Sequence, residues 1–199
     1  TDANTIEYLA AVKLRTTLSV EVVDRARRNL DGAGLFKQVE IYWEAMVDKE
    51  GTNGVRLVIS AKDKLSWIIA PTFAYSPPIY GGGLAFAESN LFGRNMKLLL
   101  YGTYTTADKM LLVYFLDPHI GTTPMYWRFD LIARRDRILE YAAHDLHAPR
   151  VARATDVDTF GAGIVFGVSV WRKLKLDARL KIYYDRINRP TCYNTQNKS

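Results

Sequence analysis

Residues 127–134 read WRFDLIAR. Successive side chains of a strand point to opposite faces, so Trp127, Phe129, Leu131 and Ala133 share one face and Arg128, Asp130 and Arg134 share the other. Two architectures produce that pattern, a water-soluble sheet packed on a core and a transmembrane barrel. They differ in which face is wet. In a barrel the apolar face meets lipid and the charges line the lumen, where Arg128 is placed to pair with Asp130.

The same period runs outward in both directions. Trp67, Ile69, Phe73 and Tyr75 alternate with Ser66, Ala70, Thr72 and Ala74; Tyr80, Leu84 and Phe86 with Gly81, Gly83, Ala85 and Ala87; Met96, Leu98, Leu100 and Tyr104 with Lys97, Tyr101, Thr103 and Thr105. Downstream, Phe160, Ile164, Phe166 and Val168 oppose Gly161, Gly163, Gly167 and Ser169, and Leu174, Leu176, Leu180 and Ile182 oppose Lys175, Asp177, Arg179 and Lys181. Residues 109–116, KMLLVYFL, are apolar on both faces and leave their orientation open. An arginine on the lipid face near midplane costs roughly 2–4 kcal/mol, and no clear strand places one there. The spacing predicts lumen charges at Arg128, Asp130, Arg134, Asp177 and Arg179, with Arg179 pairing to Asp177.

Trp67, Trp127 and Trp171 fall at one rim, and Tyr75, Tyr80 and Tyr184 at the other, as interfacial aromatics do in barrels. Connections 90–95, 117–124 and 171–175 share the tryptophan rim. The opposite rim carries SPPIYG, TADK and a long loop over 137–158. Short turns face the periplasm in such proteins, which sets the tryptophan rim there.

Composition is compatible with this reading without proving it. Of 199 residues 48% are hydrophobic, and the mean hydropathy is −0.12. No apolar run reaches the 18 or more residues of a membrane helix, whereas barrel strands need only about 9–11. The net charge of +6 is unevenly placed: residues 1–64 hold ten basic and ten acidic side chains, and residues 65–199 hold 17 and 11. Such a basic surface meets anionic partners. With the lone cysteine, Cys192, no internal disulfide forms. Thr1 opens a polar stretch without the form of a leader.

Residues 1–64 read differently. Asn4 is placed to cap a first helix bearing Ile6, Leu9 and Ala10, and Ser19 a second bearing Val23, Ala26 and Leu30. Asp31-Gly32-Ala33-Gly34 stops the second, where glycine takes the left-handed cap. Val39, Ile41 and Trp43 then alternate in a strand, Asp48 to Gly54 turns, and Val55, Leu57 and Ile59 return. Two helices on one hairpin make a thin core, because sheets generally need a third strand.

The stretch NLDGAGLFKQVEI (29–41) resembles a segment of the POTRA domain, whose order is strand, helix, helix, strand, strand. GGGLAFAESNLFGRNMKLLL (81–100) resembles the second and third barrel strands of the BamA-type outer-membrane assembly factors, the bacterial surface antigen superfamily. Glu88, Asn90, Leu91 and Gly93 match that family's turn, while its final glycine is Asn95 here, the next best residue at positive φ. Phe115-Leu116-Asp117-Pro118, Trp127 and residues 163–184 resemble later hairpins.

The resemblance implies an α+β POTRA-like periplasmic module at 1–64 lacking its first strand, followed at 65–199 by the N-terminal portion of an antiparallel transmembrane β-barrel in the bacterial outer membrane. It implies insertion or export of β-rich clients by strand templating. The edge would be strand one: Trp67, Ile69, Pro71, Phe73 and Tyr75. Implied partners are outer-membrane lipid, lipopolysaccharide, unfolded β-rich clients and periplasmic accessory proteins, with no nucleic acid. Two other readings are a dedicated secretion transporter, or barrel with a fused upstream domain, and a soluble α+β binding protein.

Seven strands are countable where such barrels have an even number, about sixteen by resemblance, so the chain reads as a fragment cut at both ends, with RINRPTCYNTQNKS an outer loop. No nucleophile elbow, carboxylate pair or phosphate loop is present, so no enzymatic activity and no cofactor are expected. His144, Asp145 and His147 lack a third strong metal ligand. The arginines 134, 135, 137, 150 and 153 suit either a solvated loop or lipopolysaccharide phosphates. Gly81 to Gly83 suit a bulge or a flexible point.

Overall fold

The computed structural model describes residues 1–13, 15, 17–47, 53–77, 79–121, 123–141, 151–171 and 174–192. His144, Asp145, His147, Arg150, most of the 48–54 turn and the end of the tail lie outside them. Helices α1 (Ala3–Ala10) and α2 (Val20–Ala33) are followed by the hairpin β1 (Phe36–Val47) and β2 (Asn53–Asp63). A second sheet then forms from β3 (Trp67–Ser76), β4 (Ile79–Leu91), β5 (Met96–Thr105), β6 (Asp108–Asp117), β7 (Met125–Tyr141), β8 (Val151–Trp171), β9 (Leu174–Ile187) and the two-residue β10 (Thr191–Cys192).

In the front unit Ala10, Ala26 and Leu30 are buried together, with Ile6, Leu9, Val12, Phe36, Val39, Ile41 and Ile59 packed around them. Ile41 pairs with Ile59 across the hairpin. Gly34 ends α2 at φ 70, the left-handed cap that glycine takes without a Cβ penalty. The cap of α1 is Asp2, not Asn4. Trp43 is 65% exposed, because β1 and β2 run on past the two helices and their far ends have nothing to pack against.

The larger sheet is an antiparallel meander in which β3 to β9 each pair with the next strand. Among the described residues β3 and β9 do not pair with each other, so the sheet is open. The register settles the orientation of KMLLVYFL: Val113 lies between Leu100 and Leu131, and Tyr114 between Leu99 and Asp130. Leu111, Val113 and Phe115 therefore share the outward face, opposite Tyr114.

Three expectations are corrected. The 137–158 segment is mostly ladder, since β7 continues to Tyr141 and β8 starts at Val151, with Arg137 paired to Asp156 and Glu140 to Arg153. The register is continuous through Gly81 to Gly83, and the irregularity in β4 lies between Glu88 and Leu91. Part of the tail is strand: Thr191 and Cys192 pair with Ala154 and Arg153.

Leu30 is 0% exposed, so Leu30→Ala is expected to destabilise the front unit by about 2–5 kcal/mol. Limited proteolysis of the full-length protein should show faster cleavage within residues 1–63 and an unchanged sheet, while Trp43→Ala should leave the pattern near wild type.

Candidate functional site

Following the register from strand to strand gives rows of side chains on the outward face. Leu98, Phe115, Phe129, Ile164 and Leu180 form one row; Leu100, Val113, Leu131, Ala162 and Ile182 the next. On this face no charge falls on β7 from Met125 to Ala133, on β8 from Phe160 to Val168, or on β9 from Leu174 to Tyr184. Large apolar side chains here, Leu131, Phe160, Phe166, Leu180 and Ile182 among them, are exposed. An apolar face this extensive marks contact with a membrane or another protein. The ten residue steps of β9 from Leu174 to Tyr184 rise about 24 Å at about 3.4 Å per residue and a tilt of about 45°, close to the ~25 Å apolar band of outer-membrane barrels. Trp127 sits at the turn end, its ring centroid 5.0 Å from Phe115 and 6.5 Å from Phe166.

The inner face carries the predicted charges on an unforeseen support. Asp130 of β7, Gly163 of β8 and Lys181 of β9 form one row, and Lys181 Nζ reaches Asp130 Oδ2 at 3.5 Å across the glycine. A Cβ on Gly163 would stand 2.6 Å from that oxygen. Two rows away the Tyr126 hydroxyl donates to Asp177 Oδ2 at 3.2 Å across Gly167. Tyr183 leans over Gly161 in the same way. Glycines on alternate positions of β8 thus form a lane over which β7 and β9 touch. Where the row holds two like charges, Arg128 and Arg179, β8 supplies Val165, 1% exposed, which keeps them apart.

Arg128 pairs loosely with Asp130, at 3.9 Å, and lies 5.9 Å from the Tyr114 ring centre. Among the described residues no ion pair joins Arg179 to Asp177, whose carboxylate instead takes the Tyr126 hydroxyl. Arg134 binds Asp136 at 2.6 Å on the inner face beyond the band. Tyr126 and Lys181 were not singled out from the sequence; the repeated glycines opposite Phe160, Ile164 and Phe166 were their signal.

The turn after β4 is built by its polar side chains. Glu88 Oε1 accepts from the Asn90 backbone at 2.7 Å and Asn90 Oδ1 from Asn95 N at 2.9 Å. Leu91 pairs with Met96 and Gly93 N donates to Asn90 O. Gly93 and Asn95 stand at φ 70 and 56, where glycine and asparagine are tolerated best. This turn also holds the front unit: Gly93 O accepts from Asp2 N at 2.8 Å. A second contact comes from the neighbouring turn, where His119, 5% exposed, lies 4.3 Å from the Tyr8 ring. Burial pushes the Tyr8 phenol above its ordinary value.

At the edge, β3 pairs only with β4 among the described residues. Ser89 N donates to Ser66 O, which fixes the alternation of the ladder. Toward β4 the bonding residues are Ile68, Ala70 and Thr72. Trp67, Ile69, Pro71, Phe73 and Tyr75 therefore turn their backbone groups to the free edge and their side chains to the outward face. Pro71 offers a carbonyl there and no N–H.

No family model and no curated protein matches the chain. Among solved structures it is similar to the crystal structure of BamA from Haemophilus ducreyi lacking POTRA domains 1-3, with a TM-score of 0.68, 17% identity, and coverage of 95% of this chain and 34% of that one. The chain has a BamA-like β-barrel fold. It spans about a third of that protein's length, and at this identity the likeness speaks for fold alone. Among the described residues no group of three metal-ligating side chains is found.

Gly163→Val is expected to lower the yield of folded, heat-modifiable full-length barrel, because its branches meet the Asp130 carboxylate and overpacking costs about 1–3 kcal/mol. Adding Asp130→Ala should recover part of that yield; a double variant worse than Gly163→Val would show that the crowding lies elsewhere.

Proposed function

We propose that this chain belongs to an outer-membrane β-barrel protein of the assembly and translocation type, which inserts or exports β-rich clients by pairing them to the free edge of β3. The observation that carries the reading is that edge. It presents five carbonyls and four N–H groups from alternate residues between Trp67 and Tyr75, beside an exposed apolar outward face. An unpaired backbone group in hydrocarbon costs several kcal/mol, so the edge is completed in the membrane by another strand. Pro71 removes one donor from its middle and weakens whatever closes there, which lets a client strand compete by β-augmentation.

The helical unit fits a POTRA-like role on the periplasmic side. It sits against the turns of the tryptophan rim, and the structural likeness leaves only about 5% of this chain outside it, so most of residues 1–63 are included. In this reading the β1–β2 hairpin holds client or accessory segments in extended form. The role involves no catalytic step and no cofactor.

Photo-crosslinkers placed at Ile69 and Phe73 in the full-length protein during client synthesis are expected to capture nascent β-rich proteins, and those at Ile182 on the mid-sheet face to capture only lipid. Equal client capture at both places would sink the edge reading. Replacing Pro71 with Ala restores the missing donor and should reduce client capture by strengthening closure.

A further inference from the structure

We propose that the outward face of β6 to β9 carries a binding site for a multiply phosphorylated, acylated lipid of the outer leaflet, which rests on the outer-membrane reading above. One row of the sheet runs Tyr104, Lys109, Arg135, Asp158, Arg186 across five strands. It lies immediately above the apolar band, since the next row is Gly102, Leu111, Ala133, Phe160 and Tyr184. With Arg137 and Asp156 one step further out, the outward surface here has four cations against two carboxylates.

The cations are positioned. Arg135 gives Nε and Nη2 to the two oxygens of Asp158, the second at 3.0 Å, and Asn188 Nδ2 donates to the same carboxylate at 3.0 Å. Arg137 Nε binds Asp156 at 3.0 Å, and Lys109 Nζ stands 4.5 Å over the Tyr104 ring. The carboxylates hold the guanidinium groups at the surface and leave a surplus of two positive charges. A hollow of about 280 Å³ opens among Tyr104, Lys109, Arg135, Arg137, Asp108 and Asp156, three cationic residues against two acidic ones.

Directly below it, a groove of about 480 Å³ runs between Leu111, Leu131, Ala133, Phe160, Ala162 and Ile182, with almost no polar surface. Ala133 and Ala162 make it by being small among larger neighbours. A cationic hollow joined to an apolar groove matches an anionic headgroup joined to an acyl chain. The headgroup carries more than one phosphate, because from Lys109 to Arg186 the row crosses three strand spacings, about 14 Å at about 4.8 Å each, more than one phosphate bridges. The leaflet follows from the proposed periplasmic side of the helical unit, since the row lies at the end of the sheet opposite the turns that hold that unit.

The test uses the full-length protein purified in non-ionic detergent, with binding of lipid A and of phosphatidylglycerol measured by native mass spectrometry. Wild-type protein is expected to bind lipid A more tightly than phosphatidylglycerol. Lys109→Gln/Arg186→Gln leaves the Arg135–Asp158 pair intact and should weaken lipid A binding about 30-fold for two interfacial cations. Lys97→Gln/Lys175→Gln, the same charge change on the inner face, should leave it unchanged. Ala162→Leu fills the groove without altering charge and should also weaken binding. Equal binding of both lipids, or an outward pair that binds like wild type, would overturn the site while detergent-dependent, heat-modifiable protein leaves the barrel reading standing. Recovery of the protein in the aqueous phase without detergent would overturn both.

Discussion

Every outward row depends on the register of the antiparallel ladder. Because side chains alternate with a period of two, a slip of one residue moves all of a strand's inward groups outward. For β7 that would carry Arg128, Asp130 and Arg134 into the band occupied by Phe129 and Leu131. On the proposed outer-membrane reading each misplaced arginine costs roughly 2–4 kcal/mol in hydrocarbon, while the apolar groups brought inside gain nothing from a wet lumen. On that reading the outward face specifies the register as strongly as a buried core does in a soluble sheet, although this sheet has almost no core of its own.

The inner face adds a second specification. Adjacent strands are about 4.8 Å apart, so side chains on β7 and β9 meet only by crossing β8. Gly163 and Gly167 clear the way for Asp130–Lys181 and Tyr126–Asp177, and these bonds join three strands at one level. Shifting β8 by one residue would put Ala162, Ile164 or Phe166 beneath them. The glycines give up strand propensity and in return fix which residues of β7 and β9 share a level.

How far the sequence reveals this follows from the range of each interaction. Period-two alternation is local, so the outward faces of β3, β5, β7, β8 and β9 were readable from single strands. Residues 109–116 were not, since both faces of β6 are apolar and only pairing with Tyr101 and Asp130 shows which is inside. The 137–158 segment reads as a loop because it is polar, yet polar residues ladder well once strands rise beyond the apolar band and each arginine finds a carboxylate opposite: Arg135 with Asp158, Arg137 with Asp156, Arg153 with Glu140. Arg179 was assigned to Asp177 by proximity in sequence. The Asp177 carboxylate takes the Tyr126 hydroxyl instead, from β7 across Gly167 of β8.

The front unit and the free edge meet at one turn. The turn 88–95 accepts α1 through Gly93 O, and its first residues, Glu88 and Ser89, are the partners of Trp67 and Ser66 where β3 begins. A displacement of the helical unit therefore acts on the start of the free-edge strand through two hydrogen-bonded steps, Asp2 to Gly93 and Ser89 to Ser66. Among the described residues β3 has one paired neighbour, whereas β4 to β8 each have at least two. The other edge of β3 is interrupted at Pro71, which has no N–H to offer.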